Sequence, residues 1–302
     1  MSILVVGSVA YDDLETPSGR RENALGGAAT HFSMAASFFT KVRLVGVVGD
    51  DFEQKHIDLL KSRDVDVKGL TIVPGGKTFK WKGKYGLQLN EAQTLDTQLG
   101  VFGSFKPVLP DEYKKSEYVF LANIDPELQL DVLRQAENPK LVACDTMNFW
   151  ITGKPDKLKE VISKIDILLI NDGEAKMISG ENNLVKAARK VSAMGPKILV
   201  IKRGEYGAIL FANDKMFYAP AMPLEEVKDP TGAGDTFAGG FMGYLAKTGK
   251  IDNENLRKAV ICGSTMSSFQ VEDFSLDRLR TLTQKEIDAR MKAFKELSHF
   301  DL

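Results

Sequence analysis

Short apolar, β-branched runs recur through this chain, spaced so that one helix fits between most of them. They are ILVVG at 3–7, VRLVGVVG at 42–49, YVFLA at 118–122, KLVAC at 140–144, IDILLI at 165–170 and KILVIK at 197–202. Amphipathic stretches such as DDFEQKHIDLLKS (50–62) and NNLVKAARKVSAMG (182–195) lie between them. Buried strands alternating with helices predict an α/β fold around a mainly parallel sheet. Such sheets bind ligands beyond the C-terminal ends of their strands, so residues just after each run are the ones to inspect.

One region breaks the alternation. In TFKWKGKYG (78–86), Phe79, Trp81 and Tyr85 fall on one face and Lys80, Lys82 and Lys84 on the other, the period of a strand with one wet side. EAQTLDTQLGVFGSF (91–105) alternates more weakly, with Leu95, Leu99 and Val101 on one side. A small antiparallel insert is expected over about 76–106, with 10–22 as a further contributor, attached to a single domain spanning 1–302. Its aromatic row needs a cover: the body, a substrate or a second copy of the chain.

Composition narrows the class. A formal net charge of −1 gives no electrostatic reason to expect nucleic acid or an acidic membrane as partner. Cys144 and Cys262 lie far apart in apolar runs, which fits buried thiols in a reducing compartment. The N-terminal MSILVVGSVAYDD lacks the basic start and length of a signal peptide, and no apolar run reaches the roughly 20 residues of a membrane span. A cytoplasmic location is expected.

The stretch KDPTGAGDTFAGGFMGYLA (228–246) carries the chemistry. Glycines at 232 and 234 free the backbone to point N–H groups outward at the start of an apolar helix, where the dipole favours an anion. Asp235 in the first turn adds a base. Orientation, an anion hole and a base for the attacking hydroxyl are most of what phosphoryl transfer asks of a protein. At an ordinary carboxylate pKa of about 4, Asp235 would be ionised at neutral pH without tuning. An N-cap aspartate after a glycine turn accounts for the same residues as plain structure. Gly239, Gly240 and Gly243 are expected to let the helix pack closely on a neighbour.

The string DPTGAGDTFAGGF resembles the second signature of the ribokinase-like (PfkB) carbohydrate and nucleoside kinases. ALGGAATHFSMAASFF is similar to the first signature, VRLVGVVGDDF to the strand and loop after it, NDGE (171–174) to an Asn-x-x-Glu motif, and VIKRGEYGAIL to a nucleotide-binding hairpin. They follow one another in family order. The resemblance implies a three-layer α/β/α sandwich with a mainly parallel central sheet and a small β-sheet lid. It implies transfer of the ATP γ-phosphoryl to a hydroxymethyl group of a sugar or sugar-like alcohol, with a nucleoside kinase as the alternative and a non-catalytic sugar sensor as a third reading. Asp235 would be the base, and the amides of Gly232, Ala233, Gly234 and Asp235 the anion hole.

The same resemblance assigns the remaining roles. Asp12, Gly26, Gly27, His31 and Asn148 would hold the acceptor. Asn171, Lys202, Gly204, Glu205, Gly207, Thr231, Cys262 and Ser264 would border the nucleotide. Glu174 would hold Mg²⁺ through water, and a monovalent cation such as K⁺ would sit near Asp229. Each has a structural alternative: a solvated loop acid for Asp12, a capping box for Asn171 and Glu174, turns for the glycines. His31 stands where the family has Asn, and a hydrogen bond to an acceptor hydroxyl is expected of it. Val260 and Val271 replace the Asn and Gly that commonly flank adenine. The lid could also join two copies into a homodimer.

Overall fold

The computed structural model describes residues 2–299. Two sheets organise it. The larger has nine strands in the order β13-β12-β11-β10-β9-β8-β1-β4-β5. These are β1 (Ser2–Val6), β4 (Lys41–Gly49), β5 (Val65–Val73), β8 (Tyr118–Leu121), β9 (Leu141–Asp145), β10 (Ile167–Asn171), β11 (Ile198–Lys202), β12 (Ala208–Ala212) and β13 (Lys215–Ala219). From β5 through to β11 every pairing is parallel; β12 and β13 add an antiparallel edge.

The apolar runs are buried on both faces because helices cover both. Ile3, Val5, Phe120, Leu169 and Val200 pack with Phe32, Phe237 and Phe241 on one side, while Leu4, Val6, Val119, Leu168 and Leu199 pack with Leu130, Val161 and Val191 on the other. Strand alternation sends successive side chains into opposite layers, which makes the three-layer sandwich.

The smaller sheet runs β3-β2-β6-β7, with β2 (Ala10–Thr16), β3 (Gly19–Gly26), β6 (Phe79–Tyr85) and β7 (Ala92–Gln98). Two corrections follow. The N-terminal hairpin supplies half of this sheet and runs to Gly26, beyond the expected 10–22. Residues 100–104 have left it as a 3-10 turn, and Leu95 and Leu99 are exposed instead of lining a shared apolar side. The predicted alternation of β6 holds. Its register against β2 sets Asp12 beside Trp81 and Leu14 beside Gly83, so Asp12, Leu14, Trp81 and Tyr85 share the inner face. On the outer face Lys80 pairs with Asp13 at 3.0 Å and Lys84 with Glu15 at 2.7 Å.

Candidate active site

Gly232 caps the helix Ala233–Thr248 with φ 72, a left-handed conformation that glycine adopts without penalty. The N–H of Thr236 makes the first helical bond, to the Gly232 carbonyl at 2.8 Å, and the N–H of Ala233 turns back to the Pro230 carbonyl at 3.2 Å. Gly234 and Asp235 follow in the first turn, where the helix offers their N–H groups no carbonyl. The glycines further along answer to packing. A methyl group at Gly239 would fall 2.4 Å from the Phe32 carbonyl oxygen, and one at Gly243 would fall 3.1 Å from Ala36 Cα. The helix therefore lies against Ala28–Ala36 at near backbone contact.

Two strand ends deliver charge to this turn. Lys202 closes β11 and Asp145 closes β9, with β10 between them; the Lys202 ammonium reaches across to Asp145 at 2.8 Å. A methyl group on Gly234 would stand 3.1 Å from Lys202 Nζ, so the ammonium lies over the anion loop. Burial works against that charge, but Asp145 and then Glu174 outweigh it and hold the lysine pKa above its usual value. Asp235 is raised to about 7, first by burial and then by the like charge of Asp145, with Lys202 opposing. The expectation of an untuned carboxylate is thus corrected: burial and Asp145 hold Asp235 well above the usual carboxylate range.

Asn171 and Glu174 form a capping box. Asn171 Oδ1 accepts from the Glu174 N–H at 2.8 Å, and Glu174 Oε2 accepts from the Asn171 N–H at 2.7 Å. Glu174 is buried, its pKa raised by burial and then by Asp145 against the pull of Lys202, and its Oε1 takes no part in the box. Among the described residues no group of three or more His, Cys, Asp and Glu is placed to hold a metal ion.

At the other end, Asp12 is 6% exposed and faces the same turn from the lid. Its pKa is pushed up to about 8 by burial and then by Asp229, Asp235 and Asp13. Gly26 makes room for it: a methyl group there would fall 1.9 Å from Asp12 Oδ2. Gly27 caps the helix Ala28–Ala36, with φ 96. His31 is 1% exposed, its ring packed on Gly232 and interacting with the Gln270 side chain. Burial holds it neutral, with a pKa of about 4.

The lid reaches both ends of the cleft. The Thr231 hydroxyl donates to the Tyr85 hydroxyl at 3.1 Å, tying β6 to the anion loop. In the turn after β6, Asn90 sits over Gly204, where an added methyl group would fall 2.0 Å from Asn90 Oδ1. Gly204 and Glu205 are exposed in the turn between β11 and β12, and the Arg203 N–H closes that turn on the Gly207 carbonyl at 2.8 Å. Thr231, expected at the nucleotide, therefore gives its hydroxyl to the lid.

Two expected residues stand elsewhere. Cys262 lies 3.6 Å from Met291 Sδ, on the side of the helix Asn253–Gln270 that meets the helix Gln284–Ser298. At about 100° per residue, Ser264 is turned some 200° from it and shares a face with Ser267, whose hydroxyl donates to the Ala233 carbonyl at 3.0 Å. Cys262 thus faces the helix Gln284–Ser298, and Ser264 faces the start of the helix Ala233–Thr248. Asn148 is exposed at the start of the helix Asn148–Gly153, and Asp145 is the carboxylate whose charge acts on Asp235.

Asp229 is fully buried. Its Oδ1 accepts from the Thr231 N–H at 2.9 Å and its Oδ2 from the Ser275 N–H at 2.8 Å. Gln270, with none of its surface exposed, donates from Nε2 to the carbonyls of Thr231 and Ser275. Sequence reading passed over Gln270, Tyr85 and Asn90 as site residues. For Tyr85 the inward phase of β6 was a usable signal; for the other two only the folded loops supply one.

An anion loop with a base, set at the strand ends of a three-layer sandwich and faced by a second sheet that carries a buried carboxylate, defines a small-molecule phosphotransferase. The pattern of the pfkB family carbohydrate kinases matches residues 2–280, and the chain belongs to that family of kinases. It is 34% identical to the cytidine kinase of Thermococcus kodakarensis over 81% of this chain and 88% of that one. It is 26% identical to a nucleoside kinase of Methanocaldococcus jannaschii over 86% and 82%. The crystal structure of the Methanocaldococcus jannaschii nucleoside kinase superposes with a TM-score of 0.75 at 22% identity, covering 97% of this chain and 98% of that one. These relatives favour the nucleoside alternative over the sugar reading that led from the sequence.

Proposed function

We propose that this protein is an ATP-dependent nucleoside kinase that phosphorylates the 5′-hydroxymethyl group of a ribonucleoside, with cytidine the first acceptor to test. The observation that carries the reading is the adjacency of Asp12 and Trp81 on the inner face of the lid. A carboxylate can accept both hydroxyls of a ribose diol, and an indole beside it offers a flat surface to a base. The similarity to a cytidine kinase supports the same acceptor class.

In this reading Asp235 takes the proton of the attacking hydroxyl while the Gly234 and Asp235 amides receive the moving phosphoryl. Lys202, already over that turn, exchanges its Asp145 partner for phosphoryl oxygen as charge builds. The free oxygen of Glu174, held by its capping box, would hold Mg²⁺ through water, and the ion would supply charge neutralisation at the nucleotide phosphates. Lys202, Gly204, Glu205, Gly207, Asn171 and Ser264 border the nucleotide. Gly26, Gly27 and His31 face the acceptor end, where an acceptor hydroxyl would give the buried imidazole a hydrogen-bond partner at close range. The lid excludes water, which keeps ATP from hydrolysis. All seven residues of β7 are exposed on the lid's open edge, the surface by which two copies would pair. Two buried, unpaired thiols suit the cytoplasm.

The test is a turnover screen with ATP over cytidine, uridine, adenosine, inosine, ribose and fructose. A nucleoside is expected to exceed both sugars in kcat/KM by at least 100-fold, on the order of the discrimination a built polar site gives. Equal or better turnover of a free sugar would sink the nucleoside reading and leave the kinase standing.

A further inference from the structure

The place beside Asp229 where the family resemblance puts a monovalent cation does not suit an ion in this chain. A bound alkali ion takes several oxygens in place of its hydration shell. Here each oxygen that could serve already has a hydrogen-bond partner within the protein. Both Asp229 oxygens accept backbone N–H groups, at 2.9 Å from Thr231 and 2.8 Å from Ser275. The Val271 carbonyl accepts from the Lys228 N–H at 2.8 Å. The Ser275 hydroxyl donates to the Leu25 carbonyl. The carbonyls of Thr231 and Ser275 both point at one atom, Gln270 Nε2.

We propose that the Gln270 carboxamide stands in for a monovalent cation, bracing the anion loop so that phosphoryl transfer needs no such ion. The amide orientation is fixed by its surroundings. Two carbonyls can only be met by the NH₂ end, which has two hydrogens and spends one on each. The Oε1 end then faces the Thr236 hydroxyl at 3.4 Å, inside the first turn of the catalytic helix. One side chain thereby links the residue before Gly232, the 272–276 segment and the helix that carries Asp235. Through Ser275 and Leu25 the link extends to Gly26 beneath Asp12. Gln270, Thr236 and Asp229 are all fully buried, so an ion could enter only by displacing the amide. Gln270 is a positioning residue: it holds the loop and touches neither substrate.

The inference rests on the kinase reading for its consequence, but its test needs no acceptor. Melting temperature and ATP affinity are measured at matched ionic strength in choline, sodium, potassium and ammonium chloride. The unaltered protein is expected to bind ATP within twofold of the same affinity in all four salts and to melt at one temperature. Gln270→Ala opens an ion-sized space lined by two unpaired carbonyls. It should bind ATP at least fivefold more weakly in choline and recover in potassium or ammonium. Gln270→Met fills the space without a donor and should stay weak in every salt; it also serves if the alanine variant fails to fold. A saturable potassium requirement in the unaltered protein overturns the proposal. So does a Gln270→Ala protein that matches the parent in choline, or one that no ion rescues. Failure of the nucleoside screen with this salt pattern intact would strike the acceptor assignment and leave Gln270 in its role.

Discussion

Lys202 Nζ lies 2.8 Å from Asp145 and directly over Gly234, so a cation beside that loop rests on a counter-ion that it can exchange for phosphate. Held there, it lowers the cost of bringing a polyphosphate towards the carboxylates Asp145, Glu174 and Asp235. Lys202→Met should cut kcat by about 100-fold, the size of effect seen when one oxyanion donor is removed. ATP affinity should fall less. A variant that loses affinity alone, with kcat intact, would make Lys202 a binding residue only.

Asp235→Asn tests the base. The change keeps the shape and removes proton acceptance, so turnover should drop by about 1,000-fold while ATP binding, followed by fluorescence or calorimetry, stays near the parent value. Unchanged turnover would take Asp235 out of the mechanism.

The titration of Asp235 near 7 gives a pH signature. The base works when deprotonated, so kcat/KM should climb with pH through about 7 and then level off. Asp145→Asn removes a like charge and frees Lys202 to move closer, and both effects favour the ionised form of Asp235. The acidic limb should therefore move down by about one unit. A limb that stays in place, read across pH 5.5 to 9, assigns the titration to another group.

Much of the sandwich was legible because buried parallel strands have little choice of composition: residues such as ILLI and ILVI can be nothing else at that length. The anion loop was legible because glycine and aspartate at a helix start are costly unless used. The β2–β3 half of the lid was legible only in part, as 10–22 and not to Gly26, since a hairpin such as YDDLETPSGRRENAL keeps one face wet and turns the polar Asp12 inward. Cys262 was misplaced because the face a helix buries depends on its neighbours, here the helix around Met291. The shift of Asp235 arises from Asp145 and burial, which chain order does not reveal. Gln270 looked like a polar helix end, and only the loops at 229–231 and 272–276 bury it.

The lid offers a separable prediction. Trp81 packs with Leu14, Ala24 and Phe274 on the inner face, next to Asp12, and its Nε1 donates to Thr94 at 3.2 Å. Trp81→Ala should raise the nucleoside KM about tenfold or more and leave the ATP KM nearly unchanged, since a stacked base is worth on the order of 1–3 kcal/mol. Tyr85→Phe removes only the hydroxyl that accepts from Thr231, so it should raise ATP hydrolysis without acceptor. If Trp81→Ala lowers the melting temperature and moves no kinetic constant, the indole belongs to the core alone.

Asp12 links catalysis to stability. Its carboxyl is raised from 3.8 to about 8 by burial and by the neighbouring carboxylates, so the folded protein holds this proton more tightly than the unfolded chain does. Stability from that difference is fully present below pH 4 and is lost as pH rises through about 8. Asp12→Asn mimics the protonated form at every pH. It should therefore melt close to the parent at pH 4 and well above it at pH 8.5, at roughly 2–4 °C per kcal/mol for a chain of this size or somewhat smaller. Phosphorylation should be nearly abolished at pH 8.5, where the parent carboxylate is ionised and an amide cannot accept from both hydroxyls of a diol. An equal melting difference at the two pH values would mean that Asp12 is ionised without cost in the fold, and the crowding of carboxylates around the acceptor would not be what this site uses to grip it.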